Sequence, residues 1–367
     1  MPHRISDSSN GQFRHELGPN ERLVGDFDQY VSGLSTIQVV AMSTKRSNAI
    51  GSLLISLIEC HPSTLFVVHS YEFDRDLPDN VVQVPLKRWG LSYSLRIIIL
   101  PLQLKMSSRW NAVGGPIRLS CDAISHAEIH WVHFSHATYL KRLRITETPR
   151  YFNAYIRRWR HRWLRRRERK LLAASDMIIV PTVRLAEELV ESIPEIDPIC
   201  IRVRENSSDE ARRWKRVAQT RRSSRTLVGM IAGGDYVRKG VFTAIRAIAQ
   251  IPEVDLCIVG GSRREARVAQ RYAERCGVVS QVKIIEQVSD PQIPLQNADI
   301  LLFPSHYEVA SLAIYEASSS GKYIVASDAG NAEEVLRSIP NTYLYDDMDS
   351  MIEIIREIDR RTSGKLK

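Results

Sequence analysis

Short runs rich in valine, isoleucine and leucine recur along this chain, each followed by a segment with helical patterning. No other feature constrains the fold as much. Apolar runs of this kind suit strands buried on both faces, and helical crossovers between them make those strands parallel. Candidate strands are Ile37–Met42, Thr64–His69, Val81–Leu86, Ile129–Phe134, Met177–Pro181 and Ile199–Val203. Helices are expected at Ala49–Glu59, Tyr93–Ser107 (broken or started at Pro101), Tyr151–Ala174 and Val183–Glu191. The polar stretch Arg204–Arg225 then interrupts the pattern, with seven lysines and arginines after Arg204 itself.

Beyond that break the alternation restarts. Strands are expected at Leu227–Ala232, Asp255–Val259, Val282–Glu286, up to Phe303, and Tyr323–Ala326. Helices are expected at Val241–Gln250, Arg264–Cys276, Ser311–Ser320, Glu333–Arg337 and Met351–Arg360. The reading is a loose polar arm at 1–34 with one short helix, a first α/β domain at 35–205, a linker at 206–225 and a second α/β domain at 226–367. Two such units imply a crevice, and open α/β sheets bind ligands beyond the carboxyl ends of their strands.

Charge separates the two halves. Residues 1–220 hold 32 Lys and Arg against 23 Asp and Glu, whereas 221–367 hold 19 of each. The whole net charge of +9 therefore lies in the first part, which is expected to face something anionic. Five scattered cysteines with no CxxC pair argue against a disulfide framework or a structural zinc site and fit a reducing compartment. Met1–Asn20 has no apolar core of a secretory signal, and Leu95–Leu104 is too short to span a bilayer.

Two segments carry chemistry. Gly233–Gly240 joins a strand to a helix and holds Gly233, Gly234, Arg238 and Lys239. Glycines admit a close backbone approach, and two cations beside a helix N-terminus call for an anion, most naturally a diphosphate. The bland alternative is a strand–helix turn with two solvated cations. Farther on, a loop after Phe303 carries Glu308, Ser311 is placed as an N-cap, and Leu312 opens the helix that carries Glu316. Two carboxylates there can point into one crevice, where an acid accepts hydrogen bonds from vicinal hydroxyls. Alternatively, Glu316 faces solvent.

Glu308 and Glu316 seven residues apart, then Ala317, Gly321, Val325–Gly330 and Glu333–Glu334, resemble the signature of family 4 retaining glycosyltransferases. The likeness runs upstream through Val228–Gly240, Leu256–Gly261 and Gln287–Asp290, about 110 residues in all. The loop Gly234–Gly240 is similar to that of bacterial lipopolysaccharide-core members. In the first half, Glu128–Phe134 and Ala173–Thr182 resemble the family more thinly.

The resemblance implies a GT-B fold, an α/β architecture of two Rossmann-like domains facing a central cleft. It implies a hexosyltransferase that moves a sugar from a nucleotide-sugar donor to a glycan or lipid-linked acceptor in polysaccharide or lipopolysaccharide synthesis. Glu316 would hold the ribose and Glu308 the donor sugar. Gly233, Gly234, Ser311 and Leu312 complete the donor site. Lys239 and Arg238 would neutralise the leaving diphosphate, so neither a metal nor a cofactor is expected. His133, or less naturally His136, would face the donor sugar; a structural strand-end histidine is the alternative. The chain departs from the family pattern at Gly234, where many members carry arginine, and at Ser311, where glycine is usual.

Two other classes compete: a nucleotide-sugar epimerase of GT-B fold, and a non-enzymatic basic protein binding nucleic acid or membrane. Charge alone is weak support for nucleic acid, which is not an expected partner. In Tyr151–Ala174, Phe152, Ile156, Trp159 and Trp163 form one apolar stripe beside many arginines. That pattern suits an anionic bilayer surface, with Arg165, Arg166 and Arg167 as contacts. The alternative packs the stripe on the first domain and leaves the arginines solvated. The expected location is cytoplasmic, peripheral on the inner face of the plasma membrane.

Overall fold

A computed structural model describes residues 26–46, 48–91, 93–107, 110, 115–142, 153–206, 225–288, 290–329, 332–337 and 339–362. The proposed linker and the first 25 residues of the arm lie almost wholly outside them. The chain divides into two compact units, 26–141 with 155–206, and 225–362.

The first unit is one parallel sheet of seven strands: β1 (Thr36–Ala41), β2 (Leu65–Ser70), β3 (Val81–Pro85), β4 (Ile117–Cys121), β5 (Ile129–Trp131), β6 (Met177–Val180) and β7 (Ile201–Val203). Their order is β3-β2-β1-β4-β5-β6-β7. β1 is buried along nearly its whole length, as its run of branched side chains requires. Two elements escaped the sequence pattern. β4 hides because Arg118 and Ser120 interrupt its apolar run; Arg118 is bound through backbone and side chain to Glu128. The short helix His136–Arg142 lacks an apolar repeat long enough to show.

Three readings are corrected. The described part of the arm, 26–34, is packed: helix Asp26–Ser32 buries Phe27 and Val31. Pro101 does not break its helix, which runs unbroken from Tyr93 to Lys105. The long helix, Asn153–Leu172, packs through His161, Leu164, Glu168, Leu171 and Leu172, whereas Trp159 on the expected stripe is 70% exposed. The side chains of Phe152 and Ile156 lie outside the described set.

The second unit has six parallel strands: β8 (Thr226–Ile231), β9 (Val254–Val259), β10 (Val282–Ile285), β11 (Ile300–Phe303), β12 (Tyr323–Ser327) and β13 (Thr342–Tyr345), ordered β10-β9-β8-β11-β12-β13. Alternate strand residues feed two cores. Val228, Met230, Leu256 and Leu302 pack toward the helices Val241–Ile248, Arg263–Arg275 and Met348–Thr362. Cys257, Val259, Leu301 and Phe303 pack toward Gln292–Leu295, Leu312–Ser318 and Ala332–Leu336. The sheet is therefore wound on both faces. In each unit the strand order reverses once, between β1 and β4 and between β8 and β11, which is where such sheets open toward a ligand.

Candidate functional site

β8 and β11 are hydrogen-bonded neighbours at the reversal point of the second sheet, so the loops that follow them emerge side by side. The loop after β8 runs Gly233–Gly240 and caps the helix Val241–Ile248. Gly234 has φ +96° and open space where a Cβ would stand. Gly240 is required twice over. Its φ is +71°, and a Cβ would stand 1.7 Å from the Pro304 carbonyl oxygen in the loop after β11. The loops are pressed backbone to backbone there, and the His306 amide donates to the Arg238 carbonyl at 2.8 Å.

That contact brings the expected cations onto one carboxylate. Arg238 Nη1 lies 2.8 Å and Lys239 Nζ 2.5 Å from Glu308 Oε1, and the Ser305 hydroxyl donates to the same oxygen at 3.2 Å. Arg238 also donates to the Tyr307 carbonyl and lies 3.7 Å from Asp235 Oδ2. Arg238 and Lys239 are thus held, not mobile, with side chains under one-fifth exposed. Burial would raise the Glu308 carboxyl, but the charges of Arg238 and Lys239 outweigh it and hold the group below the ordinary glutamate range. Lys239 is pulled down by burial and by Arg238, with Glu308 resisting.

The loop itself is braced by Glu265. Its carboxylate completes a capping box with Ser262 and accepts the Asp235 amide at 2.9 Å. Sequence reading missed Asp235 and Ser305. Asp235 had a detectable signal, since an acid three residues before Arg238 reaches it within one turn.

Ser311 is the N-cap residue of Leu312–Ser318, buried, but its side chain makes no capping bond to the helix. Leu312 is the first helical residue, and Glu316 stands half-buried in the second turn. Glu308 therefore joins Arg238 and Lys239 directly, while Gly233, Gly234, Ser311, Leu312 and Glu316 lie on the two loops and on the helix that continues the second.

His133 belongs to the first unit, two residues past the end of β5. Its ring lies against Trp131 at a centroid distance of 4.7 Å, and neither ring nitrogen makes a hydrogen bond of good geometry. Burial, then the charge of Arg204, pushes the imidazole down to about 3, against the Trp131 carbonyl. Two acids grip the loop backbone, Asp122 half-buried and Glu168 buried on the long helix. Asp122 Oδ1 accepts the His133 amide at 2.9 Å; Glu168 Oε1 and Oε2 accept the His136 and Ala137 amides at 2.9 Å each. Burial lifts Asp122 to about 6 and Glu168 to about 8 despite those bonds. His136 has its Nδ1 2.9 Å from His161 Nδ1, tied into the same unit.

On the long helix Arg165 and Arg166 are exposed, but Arg167 is not a surface contact. Its guanidinium donates to the carbonyls of Ile97, at 2.8 Å, and Ile124, fastening the helix to the fold.

The family described as Glycosyl transferases group 1 matches residues 213–363. The match falls on the second unit. Lipopolysaccharide glucosyltransferase WaaG of Escherichia coli (strain K12) is 34% identical over 94 residues. That stretch spans 24% of this chain and 25% of that one. Two solved structures extend the likeness to both units. The crystal structure of WaaG, a glycosyltransferase involved in lipopolysaccharide biosynthesis, aligns with a TM-score of 0.67 at 14% identity, covering 89% of this chain and 91% of that one. Anabaena Alr3699/HepE, solved in complex with UDP and glucose, aligns with a TM-score of 0.61 at 16% identity, covering 89% and 90%. At these identities they show the fold, which is GT-B, and the resemblance to lipopolysaccharide-core members stands.

Proposed function

We propose that this chain is a retaining hexosyltransferase that transfers a sugar from a nucleotide-sugar donor to a glycan or lipid-linked acceptor of the cell surface. The observation that carries the reading is the convergence of Arg238 and Lys239 on Glu308, at the reversal point of a sheet whose residues match the group 1 family. WaaG and the UDP-bound HepE support the substrate class. In the reaction the bond from the anomeric carbon to the diphosphate breaks, and the acceptor oxygen bonds to that carbon on the same face. The acceptor proton goes to the leaving phosphate.

Each residue then has a task. Lys239 and Arg238 stabilise the negative charge that grows on the departing diphosphate, an effect that is strongest where water is scarce. They supply the charge a divalent ion would otherwise bring, so transfer in EDTA is the expected behaviour. Gly233 and Gly234 leave room for phosphate, and the first-turn amides at Leu312 together with the Ser311 hydroxyl offer it donors. Glu316 accepts the ribose hydroxyls, and Glu308 binds the sugar once the cations turn to the diphosphate. The protein works at the cytoplasmic face of the plasma membrane, where exposed Arg165 and Arg166 favour anionic lipid.

Calorimetric titration with UDP and GDP tests this. One nucleotide binds wild-type protein, and Glu316→Gln weakens it at least tenfold without lowering the melting temperature. Binding of neither nucleotide defeats the reading; unchanged affinity in the variant defeats the ribose assignment.

A further inference from the structure

Arg238 is held from a second side, by Asp235. Asp235 has φ +60°, a left-handed backbone that aspartate enters more readily than most residues. From there its Oδ1 accepts the Arg238 amide at 3.2 Å, and its Oδ2 lies 3.7 Å from Arg238 Nε. The guanidinium therefore stands between two carboxylates, Asp235 on the Nε side and Glu308 at Nη1.

What keeps Asp235 left-handed comes from outside its loop. Glu265 lies on the helix Arg263–Arg275, which follows β9, and each of its oxygens has its own task. Oε2 takes the Ser262 amide at 2.9 Å and the Ser262 hydroxyl at 2.8 Å, which completes the capping box. Oε1 reaches back along the chain to the amides of Asp235, at 2.9 Å, and Tyr236, at 3.4 Å. A capping box needs only the first task. Tyr236 adds another tie. Its hydroxyl donates to the Gly260 carbonyl at 2.6 Å, and a Cβ on Gly261 would stand 2.3 Å from its ring, so the ring is seated on bare backbone. Asp235 and Tyr236 are thus fastened to the loop after β9 and to the helix beyond it, and Arg238 hangs from them.

Charge sharpens the question. Asp235, Glu265 and Glu308 all stand around the place proposed for a diphosphate, and by Coulomb's law alone each opposes an arriving anion. Glu308 and Asp235 at least lie against the cations, whereas Glu265 pairs with neither Arg238 nor Lys239. An acid that opposes the ligand and pairs with no cation there is explained by position. We propose that Glu265 is a positioning residue for diphosphate binding: by holding Asp235 left-handed it sets where Arg238 presents its guanidinium. The inference rests on the function proposed above.

The test is a double-mutant cycle on the full chain, read by calorimetric titration with UDP, or with GDP where that is the nucleotide that binds. Glu265→Ala weakens binding about tenfold, the scale of one displaced hydrogen bond to a charged group. Removal of an acid would by charge alone do the opposite and tighten it. In an Arg238→Ala background, itself weakened, Glu265→Ala brings no further loss, because the group it positions is gone. A merely structural role would weaken both backgrounds alike. Ser262→Ala breaks the other half of the capping box but leaves Glu265 Oε1 on the Asp235 amide, so it keeps the wild-type affinity. Three results overturn the inference and leave the proposed function standing: Glu265→Ala binding as tightly as wild type or more tightly, a second tenfold loss in the Arg238→Ala background, or an equal loss in Ser262→Ala. If wild-type protein binds neither UDP nor GDP, the proposed function falls and this inference falls with it.

Discussion

Enclosed carboxylates meet strand-end loops in both units, and the two sets titrate in opposite directions. In the first unit Asp122 and Glu168 face backbone amides around His133, and burial lifts them to about 6 and about 8. In the second unit Glu308 faces two full cations and is held below the ordinary range. All three groups are carboxylates. The difference lies in the partners, since amide dipoles compensate a buried charge only in part whereas an ammonium and a guanidinium compensate it fully. The first loop is a device for holding backbone in place. The second gathers two cations on one carboxylate.

The largest break in this contrast comes from Gly240→Ala. A Cβ against the Pro304 carbonyl, at φ +71°, forces the two loops apart. We expect a loss of about 4 kcal/mol in the second unit, measured by urea denaturation followed through tyrosine emission and circular dichroism. A stable, UDP-binding Gly240→Ala protein would show that the loops are not clamped. Lys239→Ala comes next. Removing one charge-stabilising group costs about 3 kcal/mol of barrier, more than 100-fold in turnover, with the melting temperature nearly unchanged.

Asp122→Ala has a smaller and different effect. It leaves the His133 amide without its acceptor and costs about 2 kcal/mol of stability in the first unit. Asp122→Asn retains an acceptor oxygen and suits the positive φ of 58°, so it restores most of that loss. If the alanine and asparagine variants melt alike, Asp122 is not the clamp.

The smallest effect is on pH dependence. His130, buried, is pushed down to about 4, and His133 and His136 to about 3. The unfolded chain therefore takes up protons first, and the first unit loses stability as pH falls below about 6.5. Asp122 and Glu168 work the other way, because their raised values favour the protonated fold and lose stability as pH rises through about 6 and about 8. Three histidines outweigh two acids below 6.5, and only Glu168 acts above it, so the first unit is most stable near pH 6.5. Lowered Glu308 contributes stability in the second unit that is present above the ordinary glutamate range and is lost as pH falls through it. Tryptophan emission isolates the first unit in a Trp214→Phe background, since residues 225–367 contain no tryptophan. A urea midpoint that climbs steadily from pH 5 to 9 would contradict this assignment.

Much of the second loop was legible because its constraints are local. Glycines, cations and the Glu308–Glu316 spacing all lie within short windows, and a long apolar alternation placed them at strand ends. The first loop was not. Asp122 follows a strand that Arg118 and Ser120 disguise, and Glu168 reaches the Ala137 amide across 31 residues. Nor does a helical period reveal which way a helix faces. Trp159 and Trp163 make a stripe as regular as His161, Leu164 and Glu168, but the second stripe is the one that packs. Contacts made by one buried carboxylate with distant amides leave no periodic trace.

Glu308 gives the second loop an internal counter-ion. Arg238 and Lys239 are already paired with it, so under the function proposed above a diphosphate would displace a carboxylate instead of filling a bare positive site. Binding there is an exchange. Its free energy is the difference between two ion pairings, and few dissolved counter-ions are released when it occurs, so affinity should respond only weakly to added salt. When the anion departs, the carboxylate is on hand to recapture both cations, and the loop returns to its starting charge without waiting for solvent.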